Sequence, residues 1–218
     1  KDKSINISIE ENKPLARNKN GKIAYKSGNK IIDIEDAEYI VPNLSGFEKE
    51  DEILIQYDEV SVTPAVKNYL TIISQLHNTN IRVIGFPLNN DFASFKNNLK
   101  DNATGIFIFQ IDADEIPSED LMENIKDIIE YNKDVDLFFV PRINTVAGLT
   151  PKHVKKWNWN ISQNGWVNFP DYQTRIYRRT SEIEWVGKVH ERIIGYNTLS
   201  VLPAEEQYCL YHHKEIER

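Results

Sequence analysis

The sequence predicts an α/β protein with a mostly parallel central sheet and helices on both of its faces. Three observations carry that prediction. From residue 51 onward, short apolar runs rich in β-branched and aromatic residues alternate with segments of helical periodicity, the pattern of strand–helix–strand units. Helical segments have legible starts, one on a capping residue followed by proline at Thr63-Pro64 and another at Pro117-Ser118-Glu119-Asp120. One apolar run, residues 105–111, ends in Asp112, Asp114 and Glu115, which places acids where a strand of an open sheet emerges at its ligand-binding edge.

Residues 1–50 are rich in Lys, Asn and Gly. Their apolar pulses at 5–9, 23–25 and 31–34 read as short strands, with hairpin turns around Asn20-Gly21 and Ser27-Gly28-Asn29. Residues 52–57 then form a strand ending at Asp58. Thr63 and Pro64 open a helix whose Val66, Leu70, Ile73 and Leu76 share one face, expected to turn toward the sheet. Residues 81–86 are the next strand, and Asp91 begins a second helix bearing Phe92, Phe95 and Leu99. The acid-tipped strand follows. A third helix runs from Pro117-Ser118 to about Asn132 with Leu121, Ile125, Ile128 and Ile129 inward. Residues 136–140 read as a buried strand, and beyond Pro141 the texture changes.

Residues 144–172 carry Trp157, Trp159 and Trp166 among Asn, Gly, Lys and Gln, and read as irregular. A stretch that long without regular structure implies a binding role. Residues 173–177 and 183–189 look like two strands joined by a turn, and the chain closes with Tyr211-His212-His213.

Composition narrows the function classes. A chain of 218 residues, 40% hydrophobic and 27% charged, is long enough for a sizeable core and is not of disordered type. Its net charge of -7 argues against a nucleic-acid binder, which needs a basic face. The single cysteine, Cys209, excludes an internal disulfide and fits a reducing compartment. No apolar run approaches the roughly 20 residues that span a bilayer, and no secretory leader is recognisable. The expectation is a soluble, cytoplasmic, acidic protein with no transmembrane segment. Two carboxylates one residue apart, Asp112 and Asp114, suit a shared divalent cation, and such a cation can hold a diphosphate.

The segments Asp91 to Asn98, Ala103-Thr104-Gly105 and Ile111-Asp112-Ala113-Asp114-Glu115 resemble the core of family 2 glycosyltransferases of the GT-A fold. Downstream, Gln173 to Arg178, the run Trp185-Val186-Gly187-Lys188-Val189-His190-Glu191 and a late histidine resemble one bacterial and phage branch of that family. The resemblance covers roughly residues 51–213. The first 50 residues depart from it, since the family opens with a hydrophobic strand and a polar loop that hold the nucleotide base.

The resemblance implies a single Rossmann-like domain over residues 1–218: atypical strands at 1–50, a nucleotide-sugar half at 51–143 and an acceptor half at 144–218. It implies transfer of a sugar from a nucleoside-diphosphate donor, expected to be a UDP-sugar, to a hydroxyl on a glycan or other acceptor, with inversion. Asp114 is then the direct ligand of Mn²⁺ or Mg²⁺, and Asp112 reaches the ribose or the metal's water shell. His212 or His213 completes the shell, and an imidazole ligand favours Mn²⁺. Glu191 is the general base with Asp171 in reserve. Lys96, Arg175 and Arg178 steady the phosphates, and Asp58 meets the nucleotide. The tryptophans offer aromatic faces to sugar rings. Glu115 has a structural alternative, capping the next helix or pairing with a cation.

Two other classes remain open. One is a non-catalytic nucleotide- or sugar-binding module of the same fold. The other is an aspartate-dependent phosphohydrolase, which normally has Thr or Val two positions after the second acid, where this chain has Ile116.

Overall fold

A computed structural model of the protein describes residues 51–74 and 80–216, together with backbone strands inside residues 5–33. The chain divides into two compact units: Lys1–Asp91 with Asp101–Ala103, and Phe92–Lys100 with Thr104–Arg218. Among the described residues, no helix is long and apolar enough to cross a membrane.

In the first unit, β1 (Ile5–Ser8), β2 (Ala16–Arg17), β3 (Ile23–Ser27) and β4 (Lys30–Asp33) form one sheet. The expected strands at the three apolar pulses are present. β3 and β4 pair antiparallel, with Ser27 opposite Lys30, as a hairpin around Gly28-Asn29 requires. The turn residues themselves, at 18–22 and 28–29, lie outside the described residues. β5 (Ile53–Asp58) and β6 (Ile81–Phe86) pair in parallel. Between them runs α1 (Pro64–Ile73), where the Thr63 hydroxyl accepts the Val66 N–H at 3.3 Å. Leu70 and Ile73 are buried as the periodicity requires, but Val66 is 48% exposed, so the apolar stripe is shorter than expected. Leu76 lies outside the described residues.

The second unit carries the long elements: α2 (Phe92–Asn102), β7 (Phe107–Phe109), β8 (Glu115–Pro117) and α3 (Glu119–Tyr131), then β9 (Leu137–Ala147), α4 (Pro151–Trp157) and β10 (Val167–Arg178). β11 (Glu184–Val186), β12 (Arg192–Ile194), β13 (Leu199–Val201) and β14 (Leu210–Glu215) complete it. α2 ends on the boundary, its last two residues falling in the first unit. The larger sheet has the order β7-β10-β9-β14-β8, with β13 also on β9. It is mixed rather than mostly parallel. β7–β10, β10–β9 and β14–β8 run antiparallel, while β9–β14 and β9–β13 run parallel.

Two sequence expectations change here. The strand expected to end at Val140 runs on to Ala147, because β10 and β14 pair with it beyond the proline. The expected irregular stretch at 144–172 therefore holds the end of β9, all of α4 and the start of β10. Residues 183–189 also depart from expectation: only Glu184–Val186 is strand, and it pairs with β12 rather than with β10.

α3 starts where predicted, capped by the Ser118 hydroxyl accepting the Leu121 N–H at 3.2 Å. It covers a core of Leu121, Phe138, Val140, Ile176, Leu202 and Leu210, with Ile125, Ile128 and Ile129 packed on it. Each such side chain, fully buried, contributes about 1.5–3 kcal/mol. Successive strand residues alternate faces, so Phe138, Val140, Arg142 and Asn144 lie on one face of β9. Leu210 and His212 sit beside Arg142 and Asn144 in register. One face of the sheet is thus apolar under α3 and becomes charged two residues further along.

The turn after β12 imposes a steric requirement. Gly195 has φ +83, and a Cβ there would lie 1.7 Å from the Glu182 carbonyl oxygen. Gly195→Ala is expected to destabilise the fold by roughly 3 kcal/mol, from the left-handed backbone and the backbone clash together. Urea unfolding of the variant measures this, and a loss below 1 kcal/mol would contradict the close approach.

Candidate functional site

The charged end of that face gathers most of the residues singled out in the sequence. Asp112 and Asp114 lie in a tight turn between β7 and β8, closed by the Glu115 N–H donating to the Asp112 carbonyl at 3.0 Å. The acid-tipped strand is shorter than expected: β7 ends at Phe109, and Glu115 begins β8.

Glu115 is the centre of the cluster. Its side chain is wholly buried. It accepts the Arg175 Nε at 2.8 Å, Arg175 Nη2 at 2.7 Å and Arg142 Nη1 at 2.7 Å. Burial pushes the carboxyl up, but the two guanidinium groups outweigh it and hold it below the usual glutamate range. Glu115 is therefore a structural anchor of both arginines.

Arg175 reaches this position through a bulge. Thr174 pairs with Phe139 and Ile176 with Phe138, so Arg175 is the extra residue of β10. Its Nη2 also donates to Asp112 Oδ2. Arg142 continues the chain of ion pairs to Asp171, its cross-strand neighbour, at 3.0 Å from Nε and 2.7 Å from Nη2. Asp171 also accepts from Asn144 Nδ2 and Gln173 Nε2, both at 2.8 Å. Burial raises the Asp171 carboxyl, yet these donors bring it below the usual aspartate range. With both oxygens engaged, Asp171 is a positioning group, and the reserve role of general base does not fit it.

At the end of the network the structure separates the two histidines. His212 is 4% exposed and faces the cluster. His213, on the opposite face of β14, is exposed and pairs with Thr145. Asn144 donates its amide to Asp171, so its Oδ1 is the acceptor that stands 2.7 Å from His212 Nδ1. The ring proton therefore sits on Nδ1. Burial lowers the His212 pKa, against the opposing pull of Asp114, and keeps the ring neutral at neutral pH. Its Nε2 lone pair then faces Asp114 Oδ2 at 3.1 Å. Two acceptors at that distance need a proton or a cation between them. Partial burial raises the Asp114 carboxyl, while a proton standing between it and His212 Nε2, together with the Lys214 ammonium, brings it below the usual aspartate range.

This donor pair fits a divalent cation. A neutral imidazole whose other nitrogen is held by a polar partner is the usual form of a metal-ligating histidine. Mg²⁺ and Mn²⁺ sites often take one or two protein ligands and fill the rest with water and phosphate oxygens. Among the described residues, no group of three His, Cys, Asp or Glu side chains forms a ready metal cage. Asp112 is not available as a ready ligand, since it is held by Arg175 and lies 3.6 Å from Lys96 Nζ. Around the site five carboxylates (Asp112, Asp114, Glu115, Asp171, Glu191) meet four cations (Lys96, Arg142, Arg175, Lys214), an excess of negative charge that suits a cation.

Lys96 is a buried residue of α2, on the face it shares with Ala93 and Lys100. Its ammonium lies 4.4 Å from the Trp185 ring centroid and 2.8 Å from Glu191 Oε1. Asn97, beside it, clamps β11 through the Trp185 N–H at 2.9 Å and carbonyl at 2.8 Å. Glu191 follows His190, whose φ of +57 is unusual for a residue other than glycine. Burial raises the Glu191 carboxyl, and Lys96 more than offsets this, so it is ionised at neutral pH.

Two candidates have structural duties. Arg178 pairs with Asp136 at 3.1 Å, which in turn accepts the Asn197 N–H at 2.9 Å, and it takes no part in the cluster. Asp58, in the other unit, accepts from the Ser61 hydroxyl, the Leu88 N–H at 3.0 Å and the Val60 N–H at 3.2 Å, closing the turns after β5 and β6. Arg142, Asn144 and Gln173 were missed as site residues. The available signal is the alternation of polar with apolar residues beyond Pro141, past the end of the predicted strand. The chain matches no protein-family model, and no curated protein matches it.

Proposed function

We propose that the protein is a metal-dependent glycosyltransferase of GT-A type, moving a sugar from a nucleoside-diphosphate donor, preferentially a UDP-sugar, to an acceptor hydroxyl. One observation carries the reading: His212 Nε2 and Asp114 Oδ2 stand 3.1 Å apart at the open end of a network with surplus negative charge. The residue order behind the family resemblance supports it. The phosphohydrolase alternative lacks such support, because the oxygens of Asp112, its required nucleophile, are directed at Arg175 and Lys96.

Asp114 and His212 would hold the cation, which would supply Lewis-acid neutralisation of the departing diphosphate. Asn144 and Asp171 fix the His212 tautomer, so its lone pair always points the same way. Glu191 takes the proton of the acceptor hydroxyl as the new bond from oxygen to the anomeric carbon forms. The bond to the diphosphate breaks, and the diphosphate leaves with the electron pair. Attack from the opposite face inverts the centre. Lys96 holds Glu191 in place and keeps it ionised before the acceptor arrives.

Calorimetric titration with UDP, with and without Mn²⁺, is expected to give binding only when the metal is present. Asp114→Ala should weaken that binding by more than the roughly 10–100-fold that loss of an outer-shell partner costs. Full affinity in the variant would overturn the metal assignment.

A further inference from the structure

α4 and its surroundings have a charge and an exposure that the catalytic reading does not use. Between Leu137 and Pro170 the chain has no Asp or Glu, although it contains 33 of them in all. Within that acid-free stretch, Lys152, Lys155 and Lys156 stand exposed on α4. None of the seven residues of α4 is buried. The helix is held by its ends: a capping box joins Thr150 and His153, and Asn158 closes it in the left-handed conformation at φ 53. A helix so short gains little from intrinsic propensity.

The aromatic side is equally open. Trp157 is 40% exposed, its ring centroid 5.3 Å from His153 and 4.8 Å from Trp159. The Lys156 ammonium lies 5.4 Å from the Trp157 ring. Beside them is an open hollow of about 430 Å³ lined by Leu149, Thr150, Pro151, Val154, Lys155 and Ile161. Lysines, indoles and an apolar hollow on and beside one short helix are the composition of a segment lying at a membrane–water interface, with ammonium groups at the phosphates and indole rings at headgroup depth.

We propose that this face docks the protein on an anionic lipid surface. Charge complementarity selects the anion, and the apolar hollow selects a lipid over a soluble anion, which would leave the hollow in water. The proposal stands apart from the transferase reading and survives its failure.

The test is flotation of the full chain with vesicles of phosphatidylcholine alone, and of phosphatidylcholine with phosphatidylglycerol in equal parts. Binding is expected to the anionic vesicles, to fall with added salt and to shift tryptophan emission to the blue. Each lysine near such a surface contributes roughly fivefold in partitioning, so reversing Lys155 and Lys156 to Glu should lower it by at least about 25-fold. Trp157→Ala should reduce both binding and the blue shift. All three positions are solvent-exposed, so thermal melts of the variants should match the wild type. If the charge reversal disturbs the melt, Trp157→Ala and the salt dependence decide. Equal binding to both vesicles, binding to neither, or capture only by a soluble polyanion such as heparin would overturn the proposal.

Discussion

Glu115→Gln is expected to cost about 3–5 kcal/mol of stability, because it strips the shared counter-charge from two arginines, one of them almost fully buried. The amide matches the carboxylate in shape, so packing is preserved and the loss isolates the charge. Arg175 keeps Asp112 and Arg142 keeps Asp171, but the bond that joins the two halves is gone. Urea unfolding at neutral pH measures the effect, with a fall in Tm on the order of 10 °C for a protein of this size. A loss under 1 kcal/mol would mean the arginines find water or other partners, and that Glu115 is not the anchor.

The same carboxylate sets an acid limit to stability. Its pKa is depressed in the folded protein, so its contribution is complete above the usual glutamate range and disappears as the pH falls through the lowered folded value. The wild type should therefore lose stability steeply on acidification, and Glu115→Gln should lose less over the same interval. Parallel curves for the two proteins would assign the acid limb to other groups, of which Asp136 and Asp171 are depressed in the same direction.

Glu191→Gln is expected to lower transfer by roughly 10²–10⁴-fold, the usual contribution of a positioned general base. Metal-dependent UDP binding should stay near the wild-type value, since Glu191 meets Lys96 and not the Asp114–His212 pair. That split between turnover and binding separates a base from a binding residue. Wild-type turnover in the variant would remove Glu191 from the mechanism, and Asp171, held by Arg142, Asn144 and Gln173, would not be its natural substitute.

Much of the local architecture was legible because it depends on neighbours in sequence. Thr63 and Ser118 cap α1 and α3 because a hydroxyl there reaches an N–H three residues on. The inward face of α3 follows from a period of 3.6. The acids at 112, 114 and 115 do follow a strand, though β7 is shorter than expected, only half-buried and at one end of the larger sheet's order rather than central. The misreadings share another cause. The predicted strand ends at Val140, but the pairing of β9 with β10 and β14 carries it through Pro141 to Ala147, and with it Arg142 and Asn144.

The sequence by itself determined the α/β character, the capped helices and the clustering of carboxylates at a strand end, since each rests on contacts a few residues apart. Only the tertiary structure decided that the sheet is mixed, that a bulge carries Arg175 to Glu115, that His212 rather than His213 faces Asp114, and that Asp171 is bound by Arg142. Strand direction and register are properties of pairs of segments far apart in the chain. A shift of one residue in that pairing exchanges the two faces of a strand, so which histidine meets the acid is settled by the partner strand.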